Sequence, residues 1–594
     1  MKSQLQTLLR GALDAVLSGT AVVAPEAIQV EATKDEKFGD FQTNLALTLA
    51  KPLGKPPRQV AEALVRALPG SALVAKVEIA GPGFINFFLA PSTFQNIVND
   101  IFAAGDCYGR DDSGSAGRIM VEFVSANPTG PMHVGHGRNA AYGDALANIL
   151  AASGWTVHRE YYINDAGRQA DILAVSVWLR YLQLAGEEVA FPVRGYPADY
   201  VRATAGRVRD RYRELFRRNA QNVMRDLPDE VLDASSDVES AAVDDDALKA
   251  AAEKYMDALI LRMRTLLGDD YAKLQRFALD DQLAAIRATL DAFGVHFDRW
   301  TSERETVDSG AVKKALDQLT VSGHTYEQEG ALWLRTTTFG DEKDRVLIKA
   351  DGAATYFVND IAYHVDKLAR GWPLQLDVWG ADHHGYIGRM RAAIEALTGS
   401  KDALNVQLIQ FVTLSSGRMG KRSGNFVTLK DLIIEAGKDA TRFFYLSRSQ
   451  DQHLEFDIEL ARSQSNDNPV YYVQYAHARV CSVFRQAAER GLDFDAAAVP
   501  VSLHRLVEAH EKALLTILGR YAETLRNAAA QSAPHALTFY LRDLADALHR
   551  WYGAHAFLVD DAELRTARLG LAAATRQVLA NGLGLLGVSA PEQM

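Results

Sequence analysis

Cysteine is almost missing from this chain: Cys107 and Cys481 are the only two in 594 residues. They lie too far apart to suggest a disulfide framework or a metal-ligand cluster, which excludes the small stapled and zinc-organised classes and fits a reducing, cytoplasmic compartment. Long apolar runs are missing as well, with no stretch of about 18 uninterrupted apolar residues to cross a bilayer. The N-terminal MKSQLQTLLRGALDAVLSG interrupts its would-be apolar region with Arg10 and Asp14, so it reads as an amphipathic helix and not as a leader. No membrane partner is expected. Positive charge is in deficit, with 64 Lys+Arg against 75 Asp+Glu and a formal net charge of −11. Taken alone, that speaks against a polyanion. Its distribution changes the reading, because residues 461–594 hold 13 basic and 13 acidic residues and the rest of the chain carries the whole deficit. Twelve of those 13 basic residues are arginine, which forks onto phosphates and stacks on bases. A nucleic-acid partner is therefore permitted.

What is present is hydrophobic content of 48%, enough to bury several cores. Residues 1–105 read as a small α+β unit: a helical pattern at 3–18, a second helix near 40–67, then KVEIAGPGFINFFL with strand composition around a Gly-Pro-Gly turn. After a glycine-rich junction, IMVEFVSANPTG is a buried-strand pattern stopped by Pro128 and Gly130, and a helix follows from about 135 to 152. Strand, glycine-rich turn and helix open a parallel α/β domain. Strand character recurs at TVHREYYIN, RVLIKADGAATYF, LQLDVWGADHHG and VQLIQFVTLSS. The pattern predicts an α/β domain over 106–460, split by a mostly helical insertion around 180–345. Residues 461–594 keep helical spacing, with Asn468 as N-cap and Pro469 at the first helical position, and predict an all-α bundle.

The stretch SANPTGPMHVGHGRNA sets His133 and His136 ahead of a helix. Zinc would need a third ligand, and metalloprotease helices use an i, i+4 pair with a glutamate between, which is absent. Two histidines that merely cap the helix would leave the glycines unexplained. An anion site uses Gly130, Gly135 and Gly137 for close backbone approach, the free N–H groups of the helix start, and two imidazoles as donors to a phosphate. Asp382-His383-His384 follows a strand end, where ligands collect in parallel sheets. That loop suits a ribose or adenine contact, and a metal-dependent phosphohydrolase is the alternative. The basic loop SSGRMGKRSGNFVTL holds Arg418, Lys421 and Arg422 between glycines. It reads either as solvated charge or as a mobile loop that closes over a triphosphate.

HVGH early, RMGK late and a split α/β domain between them resemble the two signatures of class I aminoacyl-tRNA synthetases. The flanking EYYINDAGRQ, WGADHHGYIGRM, KRSGNFVTLKDLI, FDIELARSQSNDNPVYYVQYAHAR and LGLLGVSAPEQM narrow the likeness to the bacterial arginyl-tRNA synthetases, from residue 37 to the C-terminus. The wider class has Lys-Met-Ser-Lys where this chain has Arg418-Met419-Gly420-Lys421, so only the second lysine is kept.

The resemblance implies a Rossmann-like parallel sheet, an N-terminal tRNA-contacting unit and an anticodon-binding bundle. It also implies an arginine–tRNA ligase that uses ATP with Mg²⁺, L-arginine and tRNA(Arg), as a cytoplasmic monomer without a tightly bound metal. Catalysis falls to His133, His136 and Lys421. ATP falls to Pro131, His133, Gly135, His136, Gly137, Asn139, Gly380, Asp382, His383, Met419 and Lys421. Arginine falls to Glu122, Ser125, Asn127, His136, Tyr356, Asp360 and His384, with carboxylates shaped for the forked guanidinium. Tyr471, Tyr475 and Arg479 offer surfaces for splayed tRNA bases. Some of the aromatics on that helix are expected to be packing residues instead. The run RVRDRYRELFRR either tracks phosphate or forms a charge-neutralised helix face.

Overall fold

The computed structural model describes residues 1–33, 35–115, 117–228, 246–415 and 427–594. In the N-terminal unit, Leu5, Leu9, Ala12 and Leu13 recur at helical spacing on the buried face of Lys2–Leu17. The helix expected near 40–67 is two helices, Leu45–Leu53 and Pro57–Ala67. Gly54 ends the first in the left-handed region, at φ 60°, and the Pro56-Pro57 pair cannot continue it. These helices pack on a four-stranded antiparallel sheet that includes Val74–Ala80 and Phe84–Leu89.

The centre of the molecule is a five-stranded parallel sheet. Its strands are β1 (Arg118–Glu122), β2 (Thr156–Ile163), β3 (Arg299–Ser302), β4 (Leu374–Gly380) and β5 (Leu404–Ile409), in spatial order β5-β4-β1-β2-β3. The chain winds outward from β1 through β2 to β3, then returns to β1's other side with β4. This reversal opens a crevice at the carboxyl ends of β1 and β4, the usual ligand position in such sheets. Helix α1 (Val134–Ala152) crosses from β1 to β2 and is buried along most of its length. Helix α2 (Tyr356–Ala369) leads into β4.

Between β2 and β3 the chain forms a helical body, from Arg168–Leu184 to Asp270–Ala292, with its own apolar core around Trp178, Phe216 and Met263. The sequence suggested helical insertion around 180–345. The chain instead returns to the main sheet at β3, then adds helix Ala311–Val321 and a three-stranded antiparallel sheet ending at Arg345–Ile348. Strand β3 is four residues long and too short to show alternation.

Helix α3 (Pro469–Glu489) starts the C-terminal bundle, with the Asn468 side chain accepting from the backbone N–H of Val470. The bundle, the central sheet and the N-terminal unit share one continuous apolar core. Buried Arg442 ties the bundle to the central domain by donating to Asp144 of α1, to the carbonyl of Phe293 and to that of Leu586 near the C-terminus.

Candidate active site

Immediately after β1 the backbone turns through two non-glycine residues in the left-handed region, Val124 at φ 68° and Ser125 at φ 39°. A β-branched residue there costs about 1–3 kcal/mol and persists only where its surroundings overdetermine it. They do so here. Val124 N–H donates to Asn139 Oδ1 at 2.7 Å, and Asn139 Nδ2 donates to the Val378 carbonyl at 2.9 Å, clamping β1 to β4 across the crevice. The Ser125 hydroxyl donates to Glu122 Oε1 at 2.9 Å and accepts from Tyr162 N–H at 3.1 Å. Asn139, expected on ATP, thus spends its amide on the crevice walls. Asn127 is exposed just beyond the turn.

The loop then runs past half-buried Pro131 to α1. Tyr200 of the helical body donates to the Thr129 carbonyl at 2.7 Å, and a side chain at Gly130 would meet that hydroxyl at 2.9 Å. His133 and His136 do cap α1: His133 Nδ1 accepts from Gly135 N–H at 3.1 Å, and His136 Nδ1 accepts from His133 N–H at 3.3 Å. The capping and anion-site readings are therefore compatible. With both Nδ1 atoms accepting, the proton of each neutral ring sits on Nε2, which is left as a donor. The rings stack at 3.7 Å between centroids. Burial, and secondly the neighbouring His133, pulls His136 down to about 3, and burial also lowers His133. Neutral donors at a helix N-terminus suit a polyanion without competing for its metal.

Met419 and Lys421 lie outside the described residues, as do Arg418 and Gly420. The chain that follows them is anchored on the first signature. Leu429 N–H donates to the Met132 carbonyl at 2.8 Å, and Thr428 bridges to His133. A side chain at Gly137 would meet Leu429 Cδ1 at 2.5 Å and the Tyr445 hydroxyl at 2.9 Å, so this glycine permits Leu429 and Tyr445 to pack against the first signature. Gly135 has only His133 close by.

At the end of β4, a side chain on Gly380 would lie 2.4 Å from Asp382 Oδ1. Asp382, His383 and His384 are all exposed, with His383 Nε2 3.5 Å from Asp382 Oδ2. Among the described residues no group of three or more His, Cys, Asp or Glu is placed to hold a metal ion, so the phosphohydrolase alternative lacks a donor set.

The acids divide into two groups. Glu122 Oε2 lies 2.6 Å from Lys367 Nζ, which also reaches Asp377 at 3.0 Å; Asp377 in turn contacts His364 Nε2 at 2.9 Å. Asp360, one helix turn into α2, is different. It accepts from the Tyr386 hydroxyl, and burial raises its pKa. Glu303, just past β3, is raised to about 7 by burial and by the charges of Asp360 and Asp165. Among the described residues neither Asp360 nor Glu303 forms an ion pair. Tyr356, expected as a pocket wall, is 78% exposed at the start of α2. Sequence reasoning missed Glu303 and Lys367. Glu303 resembles an ordinary acid in a helix's first turn, and Lys367 an ordinary base in the last turn.

On α3, Tyr471 and Tyr475 stack at 5.9 Å, and the Arg479 guanidinium lies 4.5 Å over the Tyr475 ring while donating to its hydroxyl. All three are half-buried. His549 packs against Tyr472 and Tyr475 and lies 2.9 Å from Arg479, while His477 packs inward against the Pro591 carbonyl. In the arginine run, Arg207 forks onto Asp281 and Arg217 pairs with Glu187, so these two serve the helical body itself.

Family models match along the chain: the arginyl tRNA synthetase N terminal domain over 3–89, the catalytic domain of class I (R) tRNA synthetases over 98–231 and 245–458, and the DALR anticodon binding domain over 473–594. The chain is 50% identical over 601 residues to an arginine--tRNA ligase of Thioalkalivibrio sulfidiphilus (strain HL-EbGR7), and 50% identical over 603 residues to that of Halorhodospira halophila, covering 100% of each chain in both cases. Its fold superposes on Thermus thermophilus arginyl-tRNA synthetase with a TM-score of 0.74 at 24% identity, again over 100% of both chains. The switch-point crevice, the capped double histidine and these matches lead to one conclusion: the chain belongs to the arginyl-tRNA synthetase family.

Proposed function

We propose that the chain acts as an arginine–tRNA ligase at the β1–β4 crevice, taking ATP at the α1 end and the arginine side chain at the Asp360–Glu303 end. The arginine carboxylate attacks the α-phosphorus and pyrophosphate leaves; a hydroxyl of the tRNA's terminal adenosine then attacks the arginyl carbonyl carbon and AMP leaves. No protein nucleophile is needed, so the protein's work is alignment and charge stabilisation. The Nε2–H groups of His133 and His136 and the free N–H groups of α1 meet phosphate oxygens. Pro131, Gly135, Gly137, Gly380, Asp382 and His383 line the nucleotide, with Asn139 setting the width of its cleft. Lys421 neutralises the departing pyrophosphate, Met419 lines the nucleotide, and Mg²⁺ arrives with ATP.

Two buried carboxylates that form no ion pair among the described residues carry the arginine assignment. Asp360 and Glu303 form a charge hole that a guanidinium fills with forked hydrogen bonds, joined by Glu122 and Ser125. Asn127, His136 and His384 attend the substrate's backbone end, and Tyr356 forms the pocket wall. A lysine ammonium cannot satisfy several planar acceptors at once, and the unmet acceptors are costly. Tyr471, Tyr475 and Arg479 stack on anticodon bases. The enzyme works as a cytoplasmic monomer; among the described residues no helix is long and apolar enough to cross a membrane.

The test is transfer of labelled arginine to tRNA with ATP and Mg²⁺, compared with lysine. Arginine transfer that collapses in K421A while tRNA binding persists supports the reading. Unchanged turnover in that variant removes the loop from the mechanism.

A further inference from the structure

Lys367 is the least expected side chain near the crevice. It lies in the last turn of α2, where a lysine ordinarily faces water and the helix's negative end, yet it is fully buried. Its ammonium spans Glu122 Oε2 and Asp377 Oδ1, with the Tyr363 ring 4.4 Å away. Buried ion pairs are poor stabilisers, since apolar residues of similar volume often serve the fold as well or better. The pair therefore calls for a reason beyond stability.

Position supplies one. Lys367 and Asp360 are seven residues apart on α2, two turns along one face, so a single helix carries both a guanidinium acceptor and the cation that touches Glu122. Glu122 gives one lone pair of Oε2 to Lys367 and one of Oε1 to the Ser125 hydroxyl. Two lone pairs remain for a guest.

We propose that Lys367 is a positioning residue for arginine recognition, its buried ammonium aiming and charge-balancing the Glu122 carboxylate for the substrate guanidinium. The proposal rests on the reading of Glu122 as a guanidinium acceptor. The groups facing this centre are Tyr363, His364 and Lys367 on α2, Asp377 on β4, Glu160 and Tyr162 on β2, and Ser125 after β1. Arg370 engages Glu160 through two 2.7 Å bonds, which leaves Lys367 as the cation directly on Glu122. Burial pushes Glu122 up, and Lys367 opposes it. Removing the ammonium leaves burial and the nearby Asp377 charge opposed only by the weaker influence of His364, so Glu122 takes up a proton more readily.

Aminoacylation kinetics at varied arginine and pH test this, on K367M, K367Q, K367R and E122A. The neutral variants are expected to raise KM for arginine about tenfold or more at pH 7.5 while kcat and KM for ATP change less than about threefold. The acid limb of kcat/KM for arginine moves to higher pH in both. K367R keeps the cation and restores most of the affinity with the limb unmoved. Equal losses in kcat and in ATP affinity, or an unmoved limb in K367M and K367Q, overturn the proposal. So does failure of both neutral variants to fold while K367R matches the wild type, which assigns the charge to the fold. An unchanged arginine KM in E122A sinks the reading of Glu122 itself, independently of Lys367.

Discussion

Two sets of buried acids flank the crevice, and they are built on opposite principles. Glu160 and Asp377 each have a basic partner within 3.0 Å, Arg370 and Lys367 respectively. The buried carboxylates of Asp360 and Glu303 have none among the described residues. Compensated acids cost the fold little, whereas uncompensated ones hold unfavourable charge until a ligand supplies the opposite sign. The comparison separates scaffold from pocket within a few residues: where charge is neutralised it organises the walls, and where it is left open it marks the substrate.

The largest expected effect comes from the open set. D360N should raise KM for arginine on the order of 100-fold, since it removes a charged, forked acceptor. Its melting temperature should stay level or rise, because an uncompensated buried charge is removed. A lower melting temperature with unchanged KM would place Asp360 in the scaffold instead.

E303Q is the next step down, with about a tenfold rise in arginine KM at pH 8. Glu303 sits near 7, against an ordinary 4.5. A guanidinium favours its ionised form, so wild-type arginine affinity should fall as pH drops from 8 to 6, and E303Q should flatten that slope. Stability moves the opposite way. A raised folded pKa means the folded state is penalised as pH climbs from 4.5 through 7, so E303Q should gain on the wild type at pH 8 and little at pH 4.5. Thermal melts at the two pH values check the sign.

The smallest effect on arginine should come from the compensated set. Glu160 is fully buried and accepts from Arg370, Tyr363 and Thr301. E160Q weakens the charge-assisted bonds from Arg370, which keeps Asp366 as a partner at 2.7 Å, costing about 2 kcal/mol of stability while arginine KM changes less than about threefold. A large KM change with unaltered stability would erase the distinction between the two sets.

The sequence made the proposed nucleotide end legible because its physics is local. Glycines, two histidines and a helix start lie within a few residues, and the Asn468-Pro469 start of α3 is legible for the same reason. The arginine end is assembled from β1, the segment after β3, and α2, and only chain folding brings Glu303 near Asp360. Lys367 and Glu303 carried ordinary helix-end charge patterns, so nothing local marked them as buried. Strand β3 escaped notice because a four-residue edge between helical segments has no period to read, and the turn at Gly54 was hidden by continuous apolar spacing on either side.

The central claim is that the pocket holds open negative charge for a guanidinium. Calorimetric titration of arginine into the wild-type protein at pH 7, in two buffers of different ionisation enthalpy, counts the protons that binding displaces. With Glu303 near 7, up to about half a proton should leave Glu303 per arginine bound, and less should leave in E303Q. Binding with no proton release in the wild type would mean that the guanidinium is held elsewhere, and the account would be wrong.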